Sequence, residues 1–229
     1  MVQGFEGMRG KSAIVTGGAT LIGAGVVRAL HQAGVRVVVA DINAEAGQAL
    51  ADELGDGVLF SRTDITDDTQ VAACVALAAA RHGGVNYLVN LACSYLDDGI
   101  ASPRADWLAS LNVNLVSAVM VLKAVRPHFQ RAGGGAVVNF TSISSGVAQT
   151  GRWLYPVGKA AMVQLTRSMA MDLAGEGVRV NSVSPGWTWS AIMDQLTGGD
   201  RAKTDRVAAP FHMLRRVGDP AEVANVVLF

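Results

Sequence analysis

The chain has no excess charge of either sign: 19 Lys and Arg balance 19 Asp and Glu over 229 residues. A basic face for nucleic acid or an anionic membrane is therefore not expected. The one strong basic doublet, Arg215–Arg216, reads as solvated surface. Cysteine is scarce; Cys74 and Cys93 cannot build a disulfide framework and read as reduced thiols. The four histidines (His31, His82, His128 and His212) show no metal-ligand spacing, so no metal is expected. The N-terminal MVQGFEGMRGK lacks the apolar core of a secretion signal. The longest weakly polar run, VAACVALAAA at 71–80, falls short of the roughly 20 residues a membrane span needs. Together these absences lead to the expectation of a soluble, cytoplasmic protein.

What is abundant points the other way, to a packed core. Half of the residues are apolar, and 26 are glycine. Short β-branched runs (12–16, 35–40, 58–60, 87–90, 136–140 and 178–183) alternate with helix-like stretches near 22–33, 44–54, 67–81, 104–131 and 153–175. Continuous apolar strands such as RVVVA imply a sheet covered on both faces, and strands separated by helices imply parallel βαβ units. The fold class is thus α/β, a doubly wound parallel sheet in a single domain over 1–229. Ligands of such sheets lie beyond the carboxyl ends of the strands. The segments TGGATLIG, ADIN, TDIT, NLACSYL, FTSISSG and SVSPGWTWS stand there.

TGGATLIG turns from a strand into a helix, offering free N–H groups and a positive helix end to a pyrophosphate. Gly17, Gly18 and Gly23 permit the tight turn, whereas Leu21 stands where a glycine would be usual. Leucine is tolerated if position 21 already has helical φ, so negative φ is expected there. Asp41 follows Gly23 by close to the roughly 20 residues expected of a carboxylate that grips the adenosine ribose hydroxyls. It would repel a 2′-phosphate, which favours NAD over NADP; its other available role is at the start of the next helix. Asp64, after the third strand, could accept from the adenine amino group or cap a helix.

YPVGK puts Tyr155 and Lys159 on one helical face. A phenol ionises near pH 10, but a neighbouring ammonium and a positively charged nicotinamide favour the phenolate, so Tyr155 could exchange a proton with a hydroxyl or carbonyl. Ser142, at the end of AVVNF, stands at the same mouth of the sheet. On these residues the chain resembles the short-chain dehydrogenase/reductase family from residue 8 onward. TGxxxGxG appears as Thr16, Gly17 and Gly23; NNAG appears as NLAC, keeping Asn90 and Ala92; NVNLVSA supplies Asn114; and a PG motif supplies Pro185 and Gly186, with Ser190 at the threonine place.

The resemblance implies a Rossmann-type fold and a hydride transfer between NAD and a secondary alcohol or ketone. It implies Tyr155 as general acid/base, Ser142 on the reacting oxygen and Lys159 on the nicotinamide ribose. Asn114 would hold a water that links Lys159 to solvent. Thr188 and Ser190 would fix the nicotinamide amide. The cofactor-binding set so implied is Gly17, Thr20, Leu21, Ile22, Gly23, Asp41, Ile42, Asp64, Ile65, Asn90, Ala92, Tyr155, Lys159, Pro185, Gly186, Thr188 and Ser190. The substrate pocket is expected from Ser94, Tyr95, Ser144, Gln149, Trp153, Trp187, Trp189, Met193 and Leu196, under a mobile lid at 187–212 with TGGD as its break. Trp187 and Trp189 could equally pack as core or lid hinge. No arginine or lysine is seen beside these residues, so acidic or CoA-linked substrates are not expected. Cys93 reads as a small buried hydrophobe. A homodimer or homotetramer through the 104–131 and 153–175 helices is expected. Members of the family usually continue past DPAEVANVVLF into a last strand, so a tail beyond Phe229 is expected. The alternative reading is a catalytically idle NAD-binding scaffold.

Overall fold

The computed structural model describes residues 6–229, except for the side chains of Ile192, Gln195 and Leu196. Six strands form one wholly parallel sheet: β1 (Ser12–Thr16), β2 (Arg36–Asp41), β3 (Val58–Arg62), β4 (Tyr87–Asn90), β5 (Gly135–Phe140) and β6 (Val178–Val183). Their spatial order is β3-β2-β1-β4-β5-β6. The helices, in chain order, are α1 (Leu21–Gln32), α2 (Ala44–Leu54), α3 (Asp68–His82), α4 (Arg104–Leu111), α5 (Ser117–Ala132), α6 (Leu154–Leu173), α7 (Ala191–Thr197), α8 (Arg201–Ala208) and α9 (Pro220–Leu228).

Alternation along β1 and β2 divides the core in two. Ala13, Val15, Val37 and Val39 point to α1, α2 and α9, whereas Ile14, Val38 and Ala40 point to α3, α5 and α6. Each fully buried valine or leucine contributes about 1.5–3 kcal/mol of hydrophobic stabilisation. That two-sided burial is why the strands read as unbroken apolar runs. The register sets Thr16 opposite both Ala40 and Asn90, and Asn90 opposite Asn139, so the loops after β1, β2, β4 and β5 emerge together at one edge. The order reverses between β1 and β4, and this is the crevice where such sheets bind ligands.

Helix starts follow local chemistry. Thr20, Asn43 and Asp67 each accept a backbone N–H at the first turn of α1, α2 and α3. Asp219 and Glu222 form a reciprocal capping box at α9, with Pro220 at its first position. Asp41 therefore ends β2 and does not open α2, because Asn43 holds the cap. Likewise Asp67, rather than Asp64, caps α3.

One expected helix is broken. Residues 104–131 divide into α4, a π-helical turn at Asn112–Val116, and α5. Residues 104–132 are long and apolar enough to cross a membrane by composition. Here Val121, Leu122, Val125 and Phe129 are packed against the sheet instead.

Candidate active site

The loop after β1 closes on itself. Gly17 has φ +67°, and a Cβ there would lie 2.7 Å from the Cα of Ala92. A Cβ on Gly23 would collide with the Gly17 carbonyl oxygen. These are backbone approaches that a side chain forbids. Leu21 opens α1 outside the positive-φ region, which among non-glycine described residues holds Arg215 alone. Its side chain is 45 % exposed and packs no core, so leucine is tolerated because the helix has already begun. Thr16 joins this loop to the next: its hydroxyl donates to Val89 O and accepts from the N–H groups of Leu91 and Ala92.

Asp41 is buried beside the same loop. One carboxylate oxygen accepts from Ala19 N at 2.9 Å and the other from Asn43 N at 2.9 Å. A carboxylate has about four acceptor sites, so both oxygens keep capacity for hydroxyl groups, and Ile42 beside it is exposed. Asp64 turns instead to Thr66, accepting its N–H and its hydroxyl. Asn90 donates to Asn139 Oδ1, so its amide serves the strand ends.

Across the switch point lie the four catalytic candidates. The π turn carries Asn114 inward. Its Oδ1 accepts from Ser94 N at 2.8 Å, while Nδ2 donates to Ser94 O and Ser110 Oγ. Turns of this kind recur at functional sites because the extra residue re-aims a side chain. Lys159, 3 % exposed, donates to Phe140 O at 2.8 Å. Burial depresses its pKa, against which Cys93 acts in the opposite sense. A cavity of about 10 Å³ lies between Lys159, Asn114, Thr16 and Asn90, room for roughly one water. Ser142 ends the β5 loop in extended backbone; its hydroxyl donates to Ser144 Oγ and accepts from Ser144 N. Ser144 is thus buried under Ser142.

Tyr155 stands among charged and aromatic groups. Tyr95 stacks on it with centroids 5.0 Å apart. Lys159 Nζ and the Arg152 guanidinium carbon each lie 5.5 Å from its ring centroid. Burial and Cys93 push the phenol pKa up, while the hydroxyls of Ser142 and Tyr95 and the charge of Arg152 draw it back. Tyr95 is raised further, by burial first and then by Cys93 and Tyr155.

Two residues here escape a motif reading, and a third differs from the burial expected of it. Asp97 accepts from the N–H groups of Trp153 and Tyr155, at 2.8 and 2.9 Å, and so caps the start of α6. Burial works to raise its pKa, but the N–H groups of Trp153, Tyr155 and Gly99 outweigh that and hold it below the ordinary carboxylate range. Arg152 lies over the Tyr155 ring, which corrects the expectation that no cation stands beside the pocket. It precedes α6, so helical phase did not reveal it, although a residue three before Tyr155 is the kind of neighbour to suspect. Cys93 is half-buried and acts on the ionisation of Tyr95, Tyr155 and Lys159. It is therefore not a core residue like Cys74.

The 187–212 segment consists of α7, the positive-φ pair Gly198 and Gly199, and α8. Trp187 packs on Phe211 and His212, and Trp189 lies under Arg201, so both tryptophans pack on their own segment. His212 Nε2 accepts from Trp187 N at 3.1 Å, and Nδ1 donates to Ala208 O at 3.1 Å. Thr188 is buried, bridges Gly218 and follows Pro185 and Gly186, while Ser190 caps α7 by accepting from Met193 N. Trp153 is exposed beside Arg152, and Gln149 pairs with Arg152 in a short bridge. Met193 is half-buried. The side chain of Leu196 lies outside the described residues.

A family model described as enoyl-(acyl carrier protein) reductase matches residues 17–229. The chain is 34 % identical to cis-4-hydroxycyclohexanecarboxylate dehydrogenase of Sinomonas cyclohexanicum, covering 98 % of this chain and 90 % of that protein. It is 32 % identical to 7alpha-hydroxysteroid dehydrogenase of Escherichia coli (strain K12), covering 96 % of this chain and 86 % of that one. A solved 7 alpha-hydroxysteroid dehydrogenase complexed with NADH and 7-oxo glycochenodeoxycholic acid superposes with TM-score 0.90 at 31 % identity, over 100 % of this chain and 90 % of that chain. With that fold, that loop and these relatives, the chain belongs to the short-chain dehydrogenase/reductase family and is an alcohol oxidoreductase that uses a nicotinamide cofactor.

Proposed function

We propose that the protein, as one domain, is an NAD-dependent dehydrogenase of ring-borne secondary alcohols, with Tyr155 as the group that takes and returns the hydroxyl proton. The observation that carries this reading is the convergence of Tyr155, Lys159, Ser142 and Asn114 at one mouth of the sheet, with the lysine buried. An ammonium taken out of water is costly, and an idle scaffold has no use for one beside a phenol.

The loop suits a dinucleotide: Gly17 and Gly23 leave space that a Cβ would fill, and Asp41 retains acceptor capacity beside it. Gly17, Thr20, Leu21, Ile22 and Gly23 would hold the pyrophosphate, Asp41 and Ile42 the adenosine ribose, and Asp64 and Ile65 the adenine. Asn90, Ala92, Tyr155 and Lys159 would face the second ribose, and Pro185, Gly186, Thr188 and Ser190 the amide. A carboxylate at Asp41 disfavours the extra phosphate of NADP. The bound nicotinamide would accept or supply the hydride.

The protein's own part is proton transfer. Ser142 donates to or accepts from the reacting oxygen, supported from below by Ser144. Tyr155 removes the hydroxyl proton, and a positive charge on Lys159 favours the phenolate. The small cavity beside Lys159 and Asn114 supports a water that passes the proton outward. Tyr95, Trp153, Gln149, Ser94, Trp187, Trp189 and Met193 would enclose the substrate. Half-exposed apolar residues on the 104–131 and 153–175 stretches, Val116 and Val157 among them, support pairing of subunits there, and a cytoplasmic site is part of the same reading. The test is Tyr155→Phe: turnover should fall roughly 10²–10⁴-fold while fluorescence titration finds NADH binding retained. Unchanged turnover would overturn the mechanism.

A further inference from the structure

Arg152 has a charge and a direction that the proton-transfer machinery does not use. Its guanidinium carbon lies 5.5 Å from the ring centroid of Tyr155, at the mouth where a substrate must approach the phenol. Its Nε faces Asp97 at 3.7 Å, too far for a hydrogen bond, and is buried without a partner. Asp97 already receives Gly99 N, Trp153 N and Tyr155 N. The carboxylate thus holds the guanidinium in place by charge while its lone pairs are spent on backbone. No other hydrogen bond engages the Arg152 side chain among the described residues, and that side chain is 39 % exposed. A fixed fork with free donors is left beside the reacting group. Lys159 Nζ lies 5.5 Å from the same ring centroid, so two cationic side chains face Tyr155.

We propose that Arg152, held by Asp97, is the specificity residue for an anionic group on the substrate, and that the preferred substrates are carboxylate-bearing alcohols and ketones. This rests on the dehydrogenase reading above. A planar guanidinium matches a carboxylate with two parallel N–H bonds, which a neutral alcohol cannot replace. Charge-assisted bonds of this kind contribute about 10- to 100-fold in affinity.

The experiment compares 4-hydroxycyclohexanecarboxylate, its methyl ester and cyclohexanol as substrates of the wild type, Arg152→Gln and Arg152→Lys, with NAD and with NADP. The acid should exceed its ester by about 10- to 100-fold in kcat/KM, mainly through KM. Arg152→Gln should bring that ratio close to one, and Arg152→Lys should restore part of it. An acid-to-ester ratio near one in the wild type overturns the proposal. So does an Arg152→Gln variant that lowers acid and ester equally, because it would assign the arginine to Tyr155 alone. Calorimetric titration of cyclohexanecarboxylate, which has no alcohol to react, into NADH-saturated protein separates the two layers of the reading. Binding weakened about tenfold or more by Arg152→Gln supports the anion site even if none of the alcohols turns over, and that outcome would sink only the dehydrogenase reading. Binding that is absent, or indifferent to Arg152, overturns the anion site whatever the turnover. Thermal melts within a few degrees of one another show that the variants are folded.

Discussion

The two halves of the crevice are built on different principles. The half formed by the β1 and β2 ends is made of absences: Gly17 and Gly23 work because nothing projects from them, and Asp41 is tied to the backbone of residues 19 and 43. The half formed by the β4, β5 and β6 ends is made of presences. Tyr155 is stacked by Tyr95, flanked by Lys159 and Arg152, and mounted on a helix whose start is held by Asp97. Steric space is all-or-none, whereas a charged and aromatic cluster is adjustable side chain by side chain. The first half suits a constant ligand, and the second suits a substrate that differs between relatives.

The contrast can be broken at four points. Gly23→Val should act most severely, since its Cβ meets backbone that cannot move aside; nucleotide affinity should fall roughly 100-fold or more by fluorescence titration, with overpacking strain of about 1–3 kcal/mol visible in the melt. Next, Asp41→Ala should raise the KM for NAD and shift the NAD-to-NADP ratio of kcat/KM about 10- to 100-fold toward NADP; a wild type that already prefers NADP refutes the assignment. On the other half, Asp97→Ala removes a helix cap worth about 1–2 kcal/mol, lowering Tm by about 2–8 °C. Because the native carboxyl is held below its ordinary value, its contribution is complete above about pH 4 and disappears as the pH falls through the depressed native value. Melts against Asp97→Asn at pH 3 and pH 7 check that sign, with the larger gap at pH 7. Smallest of all, His212→Ala removes the acceptor for Trp187 N and should raise substrate KM by only about 3- to 10-fold, a single neutral hydrogen bond.

How much of this was legible in the sequence follows the same division. The sheet, its six strands and the Gly17–Gly23 turn are local patterns, readable because two-sided burial and tight turns demand particular residue types. Tyr155, Lys159, Ser142 and Asn114 were legible as motifs at strand and helix ends. Asp97 and Arg152 were not, because their meaning depends on a loop after β4 reaching the start of α6 from a distant part of the chain. Cys93 is half-buried rather than buried because, with Tyr95 two residues on, the fold also brings Tyr155 and Lys159 near it. The π turn left no pattern in an apolar stretch that reads as one continuous helix.

That wide turn has a mechanical consequence. Successive residues of an α-helix are rotated by about 100° around its axis, so the five residues Asn112–Val116 act as a phase adjustment between two gears on one shaft. Removing one residue there would let α4 and α5 fuse into a single regular rod. Winding all five residues as regular α-helix, with none removed, would instead turn one flank against the other by about a quarter revolution, swinging Asn114 away from Ser94 or Phe129 out of the core. A single deletion inside this stretch should therefore leave α5 in place on the sheet and cost chiefly the bonds of Asn114 to Ser94.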